Sequence, residues 1–177
     1  MLTTRDFEVV EFVRQFKIAD TDTIAALFFP SRDACYKRLR QLVVSNHLAW
    51  YRDSMNNQYL YYVKPPKQLR HSLLVSRFYG ALASMSSVVK FSIEPRCGQI
   101  RPDAAFVYDT GHGPQVGLLE VEISNKGFDW GKYERFFSSD DYLQYMTALP
   151  AVYVVSDKPV QGNVIQINTS LKNMRVD

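Results

Sequence analysis

Three carboxylates stand where a strand interior normally excludes them. The run RPDAAFVYDTGHGPQVGLLEVEISNKGF, residues 101–128, places Asp103 just after Pro102 and sets Glu120 and Glu122 inside an otherwise apolar stretch. Side chains along a strand alternate faces, so Leu118, Glu120, Glu122 and Ser124 share one face and Leu119, Val121 and Ile123 the other. Unpaired buried carboxylates are costly or are forced neutral. The carboxylate face is therefore expected to line a cleft, with the apolar face toward the core. The glycine-rich turn at residues 110–115 makes the two strands antiparallel neighbours and brings residues near 103 to residues near 122. Converging carboxylates repel one another unless a cation compensates. A hard divalent ion with oxygen ligands, Mg²⁺ or Mn²⁺, is the natural occupant. Asp103, Glu120 and Glu122 are the expected ligands. Glu94, before Pro95 at the end of an earlier strand, is a candidate fourth, its plainer role being a solvated strand terminus. Such a metal activates water and neutralises charge at a phosphate under attack. Glu122 then serves as third ligand or as base for the water. Arg96 and Arg101 flank the acids and suit either a phosphate or the carboxylates themselves.

The elements that must position these residues divide at KPPK, residues 64–67, because two consecutive prolines end a strand and cannot lie inside a helix. This predicts one domain over 1–64 and a second over 67–177. Beyond the boundary an amphipathic helix runs through Leu69, Leu73, Phe78, Leu82 and Met85. VVKFSIEP, RPDAAFVYD and VGLLEVEIS follow as strands, then a helix over about 129–146, a buried-type strand AVYVVSD, and VIQIN as a last strand.

The first domain reads as three helices and a hairpin. Thr3 and Asp6 resemble a helix-capping signal, the Asp20-Thr21-Asp22 run offers a second cap, and Ser31 caps a third helix carrying Arg32, Lys37, Arg38 and Arg40. HLAWYRDSMNNQYLYYV then reads as two aromatic strands about a polar turn. That order is the order of a winged helix-turn-helix, whose third helix enters the DNA major groove while the wing touches backbone. Arg32, Lys37, Arg38, Arg40 and, on the wing, Arg52 are the expected DNA contacts. The alternative is the same fold used for protein contact or dimerisation. Residues 1–66 hold nine Lys/Arg against seven Asp/Glu, so any basic face is local. Trp50, Tyr51, Tyr59, Tyr61 and Tyr62 could stack on bases, but packing on the helices is the commoner role.

Pro102-Asp103 and Glu120-Val121-Glu122, in this order of elements, resemble the PD-(D/E)xK nuclease superfamily over residues 67–157. The resemblance implies that the acids bind the metal and that a lysine orients the attacking water. Glu122 stands at the usual lysine position. Lys126 and, on the next helix, Lys132 are the candidate replacements, with Lys126 assigned the charge-stabilising role. A tyrosine on this helix serves some relatives, although core packing is the commoner role for Tyr133. LTTRDFEVVEFV, QLRHSLLVSRFY, RPDAAF and LLEVEISNKGFDWGKYERF are similar to the replication-relaxation family of plasmids, phages and mobile elements of Gram-positive bacteria. The fold so implied is α+β or α/β: an N-terminal winged helix-turn-helix followed by a PD-(D/E)xK-like αβββαβ core with a central mixed sheet. The implied activity is metal-dependent DNA endonuclease chemistry in replication or maintenance of a mobile element. The alternative is a non-catalytic DNA-binding accessory factor or transcription regulator on a degenerate nuclease fold.

Composition excludes several other classes. No apolar run approaches the ~20 residues of a membrane span, and the polar, acidic N-terminus is not a signal peptide. Cys35 and Cys97 form no metal spacing, and with only three histidines a His/Cys zinc site is not expected. A cytoplasmic protein with two ordinary thiols is the expectation. Net charge is +3 with pI near 8.8, which permits nucleic-acid binding without demanding it. A homodimer is compatible with both proposed modules.

Overall fold

A computed structural model describes residues 1–176, a mixed α and β chain with five α-helices and a mixed five-stranded sheet among the described residues. It divides into two compact units, Met1–Ser84 and Met85–Asp177.

In the first unit α1 (Thr4–Phe16), α2 (Thr21–Phe28) and α3 (Arg32–Val44) each begin at a side-chain cap. Thr3 and Asp6 form a reciprocal capping box on α1. The Asp20 carboxylate accepts the Thr23 N–H at 2.7 Å, and the Ser31 hydroxyl accepts the Ala34 N–H at 3.2 Å. Strands β2 (Ala49–Asp53) and β3 (Gln58–Tyr62) form the expected hairpin. A two-residue strand, β1 (Ala19–Asp20), pairs with the other edge of β3, an addition too short to show any sequence period. Val9, Val13, Ile18, Ile24, Cys35, Leu39 and Leu60 are fully buried between helices and hairpin.

Helix α4 (Leu69–Met85) belongs to this unit almost entirely, so the compact units part some twenty residues beyond KPPK. Leu73 packs with Ile18 and Leu60. The Tyr79 ring lies 5.7 Å from Phe12 and 5.0 Å from Phe16. Arg77 donates to Asp20 at 2.6 Å. A Cβ on Gly80 would stand 2.9 Å from the Thr23 methyl, so glycine lets α4 sit flush on α2. KPPK does end the hairpin. What it cannot reveal is where the apolar stripe of the following helix finds its partners.

The second unit is built on a sheet of order β4-β5-β6-β7-β8. Strands β4 (Ser87–Ile93), β5 (Ala104–Asp109) and β6 (Pro114–Val121) run antiparallel; β7 (Ala151–Val155) and β8 (Ile165–Ile167) join parallel to β6. Between β6 and β7 the chain crosses over through α5 (Trp130–Ser138), whose Asp129 cap accepts the Gly131 N–H at 2.9 Å. The helix expected over 129–146 stops at Ser138. Asp140 takes a left-handed φ of 56°, and a short 3-10 turn (Asp141–Gln144) follows. Both faces of the sheet centre are buried. On one, Leu118, Val152 and Val154 pack with Tyr133 and Phe136 of α5 and with Cys97. On the other, Phe106 lies over Gly117, stacks on Phe91 at 5.7 Å and meets Tyr153. No helix among the described residues is long and apolar enough to cross a membrane.

Candidate functional site

Register brings two of the three expected carboxylates together. Ala104 pairs with Leu119 and Ala105 with Leu118, a register that directs Asp103, the residue before β5, toward Glu120, close enough for its charge to act on that carboxyl. The expected pairing near Glu122 is thus displaced by two residues. The regular ladder ends at Ala104: the Asp103 N–H donates to the Leu119 carbonyl at 2.9 Å, one residue out of that register. The Asp103 carboxylate also accepts the Val121 N–H at 2.7 Å, which closes the open end of β6 and orients the side chain.

Glu120 shares its face of β6 with Leu118, and α5 covers that face. The expected open cleft is absent at this residue, whose side chain is 13% exposed. The acid is tolerated because α5 supplies partners: Lys132 Nζ donates to Glu120 Oε1 at 2.8 Å and the Tyr133 hydroxyl donates to the same oxygen. Lys132 also lies 5.0 Å from the Tyr133 ring centroid. Burial nevertheless pushes the Glu120 carboxyl above its ordinary value, against the lowering effect of Lys132 and Tyr133 and with help from the nearby Asp103 charge. Burial, then the Glu120 charge, pushes the Tyr133 hydroxyl far above the tyrosine range, so it acts as a donor.

The remaining expected ligands lie elsewhere. Glu122 follows the end of β6 and turns onto Ser124, accepting its N–H at 2.9 Å and its hydroxyl at 2.6 Å. Glu94 has a left-handed φ of 49° and accepts from Arg101 at 3.2 Å. Among the described residues no three His, Cys, Asp or Glu side chains converge as a metal-holding group, so the set of Asp103, Glu120, Glu122 and Glu94 is not assembled. Lys126 is exposed, and its backbone N–H rather than its ammonium is engaged, on Ser124 Oγ. Of the two candidate lysines, Lys132 is the one on the Glu120 carboxylate. The signal for this was helical phase: just past the Asp129 cap, Lys132 and Tyr133 sit in the first turns of α5, facing the end of β6.

The first unit sorts its basic residues sharply. Arg38 is engaged within the unit: its guanidinium binds both carboxylate oxygens of buried Asp6, with Nε donating at 2.6 Å. The Arg38 hydrogen bonds hold the Asp6 carboxyl well below the usual carboxylate range despite burial. Asp6 thus serves cap and ion pair together. Arg32 pairs with Asp22 at 2.8 Å in an exposed contact. Lys37 and Arg40 are exposed on α3, and Arg52 donates to Asn57 at 2.7 Å with its guanidinium 5.9 Å from the Tyr59 ring centroid. No family model, curated protein or solved structure matches the chain.

Proposed function

We propose that the chain is a DNA-binding protein whose second unit hydrolyses phosphodiester bonds with Mg²⁺ or Mn²⁺, in the service of a plasmid, phage or other mobile element. The reading combines a winged helix-turn-helix over α1–α3 and the β2–β3 hairpin with a PD-(D/E)xK-like core over β4–β8 and α5. The observation that carries it is Asp103 near Glu120 with the Lys132 ammonium on the Glu120 carboxylate. Two acids, one just before β5 and one on β6, and a lysine from α5 are residue types that the PD-(D/E)xK resemblance calls for. The donor set fits the ion: Mg²⁺ takes one or two carboxylates and fills its remaining positions with water and substrate phosphate. Asp103 and Glu120 would hold it, and when bound it supplies an activated water and neutralises phosphate charge. The Val121 N–H orients Asp103, and Tyr133 and Lys132 orient Glu120. Lys132 also keeps a positive charge beside the acids, where an anionic phosphate would approach. The expected lysine function therefore passes from Lys126 to Lys132.

A second reading, a non-catalytic DNA-binding accessory factor or regulator, is favoured by one specific feature. Lys132 and Tyr133 both occupy Glu120 Oε1, and Glu122 is committed to Ser124. Supercoiled, linear and branched DNA incubated with Mg²⁺ or Mn²⁺ separates the readings. Cleavage by the native chain, lost in Glu120→Gln with DNA affinity retained, supports the enzyme. Intact DNA throughout, with binding retained, leaves the accessory role and removes the catalytic one.

A further inference from the structure

Two adjoining depressions lie between α3 and the β2–β3 hairpin, and they share Tyr36 and Tyr59. The first, of about 370 Å³, is walled by those rings, Trp50 and Tyr61, with Arg40 at its edge. Trp50 and Tyr36 are half exposed, at 48% and 41%, although large aromatics here could have packed on the helices. Their rings pack on one another: Tyr59 lies 5.3 Å from Trp50, with the ring planes 62° apart, and 5.8 Å from Tyr36. The second depression, of about 380 Å³, is lined by Arg32 and Arg52 together with Asp33 and Asn57.

We propose that this paired groove binds single-stranded DNA, with one unstacked base on Trp50, Tyr36 and Tyr59 and the adjoining phosphate between Arg32 and Arg52. The proposal rests on the DNA-binding reading of the first unit and names the strand state that this surface takes. An aromatic wall offers a base a flat face, which a paired base inside a duplex cannot present. Charge favours the same occupant: Arg32, Arg40 and Arg52 border the groove against Asp33 and the Asp22 partner of Arg32. The Arg32–Asp22 contact is an exposed pair of little intrinsic strength, so a phosphate can replace Asp22. Arg52 beside the Tyr59 ring places a guanidinium next to the stacking surface.

The test uses the full chain and a fluorescein-labelled oligothymidylate, read by anisotropy beside a duplex of the same strand with oligodeoxyadenylate. The single strand is expected to bind more tightly than the duplex. Trp50→Ala is expected to weaken it about ten- to a hundredfold, the range that base stacking supplies, and Trp50→Phe to restore most of it. Arg32→Gln with Arg52→Gln should lower the salt slope by about 0.7 for each single-strand phosphate that the protein then leaves unneutralised. Three results overturn the proposal: tighter binding to duplex that Trp50→Ala leaves unchanged, which keeps DNA binding but moves it off the groove; binding to neither DNA, which removes the DNA-binding reading as well; and a sedimenting dimer that Trp50→Ala dissolves with no oligothymidylate bound, which makes the groove a contact between copies.

Discussion

At the scale of single residues, an acid survives beside the core because its neighbours answer it. Glu120 faces Lys132 and Tyr133 from one turn of α5. Lys132→Met removes the cation and leaves a buried carboxylate with one hydroxyl donor. Breaking a fully buried pair costs more, but the Lys132 side chain is 34% exposed, so about 2 kcal/mol is expected in urea denaturation. The pH dependence has a defined sign. The folded-state value of Glu120 is raised, so its contribution to stability is fully present below the unfolded carboxylate value and is lost as pH rises through the folded value. Lys132→Met takes away a lowering influence and should steepen that loss and move it to higher pH. Glu120→Gln on the same background should flatten it. Flat pH profiles in both variants would show that the carboxylate is not buried in solution. Strand period and the intervening turn directed Asp103 toward Glu120, but they also enrolled Glu122 and an open cleft, which fail because β6 ends at Val121 and α5 covers the Glu120 face. The partner lysine was legible only as a pair of alternatives: Lys126 is the nearer to the acids in sequence, and only the fold shows that Lys132, on the next helix, lies across from Glu120. Arg38 was half legible: helical phase sets it beside the Cys35 and Leu42 stripe, apart from Lys37 and Arg40, but only the fold brings Asp6 to it.

Elements were read most reliably where local chemistry decides them. Thr3, Asp20 and Ser31 cap the helices they were expected to cap, because a short polar side chain satisfies the first N–H groups whatever lies farther away. The end of α5 was missed because apolar residues continue past Ser138 while the backbone turns left-handed at Asp140. A strand glycine carries information of another kind. Gly117 sits opposite Phe106, and an added Cβ would lie 2.3 Å from the ring. That ring is locked by Phe91 and Tyr153 and cannot swing aside freely. Gly117→Ala is therefore expected to destabilise by about 1–3 kcal/mol in chemical denaturation. Adding Phe106→Leu should return part of the loss, and a Gly117→Ala chain as stable as the native one would show the ring to be mobile.

For the molecule as a whole, the partition at Ser84 and Met85 makes a prediction about autonomy. Residues 1–84 retain α4, with Leu73 in the core, Tyr79 on Phe12 and Phe16, and Arg77 on Asp20. Residues 1–66 lose all of these and expose Ile18 and Leu60. The longer piece should unfold cooperatively and the shorter should not, as followed by circular dichroism against denaturant. Two cooperative pieces would place the boundary back at the prolines. Sequence patterning showed that α4 has an apolar stripe; the choice of unit was beyond it, because a stripe states that a helix packs and not on what.

Each unit also carries one thiol at its centre. Cys35 is fully enclosed and burial pushes its pKa up to about 12; Cys97 is 5% exposed and burial raises it as well. Only the thiolate reacts with disulfide reagents, so neither can be modified without opening its surroundings. The two cysteines are thereby separate clocks for breathing in the two halves of the chain. Labelling with a thiol reagent, resolved by peptide mass, should accelerate at Cys97 and far less at Cys35 when Gly117→Ala loosens the sheet. Equal acceleration at both would mean that the halves melt as a single unit.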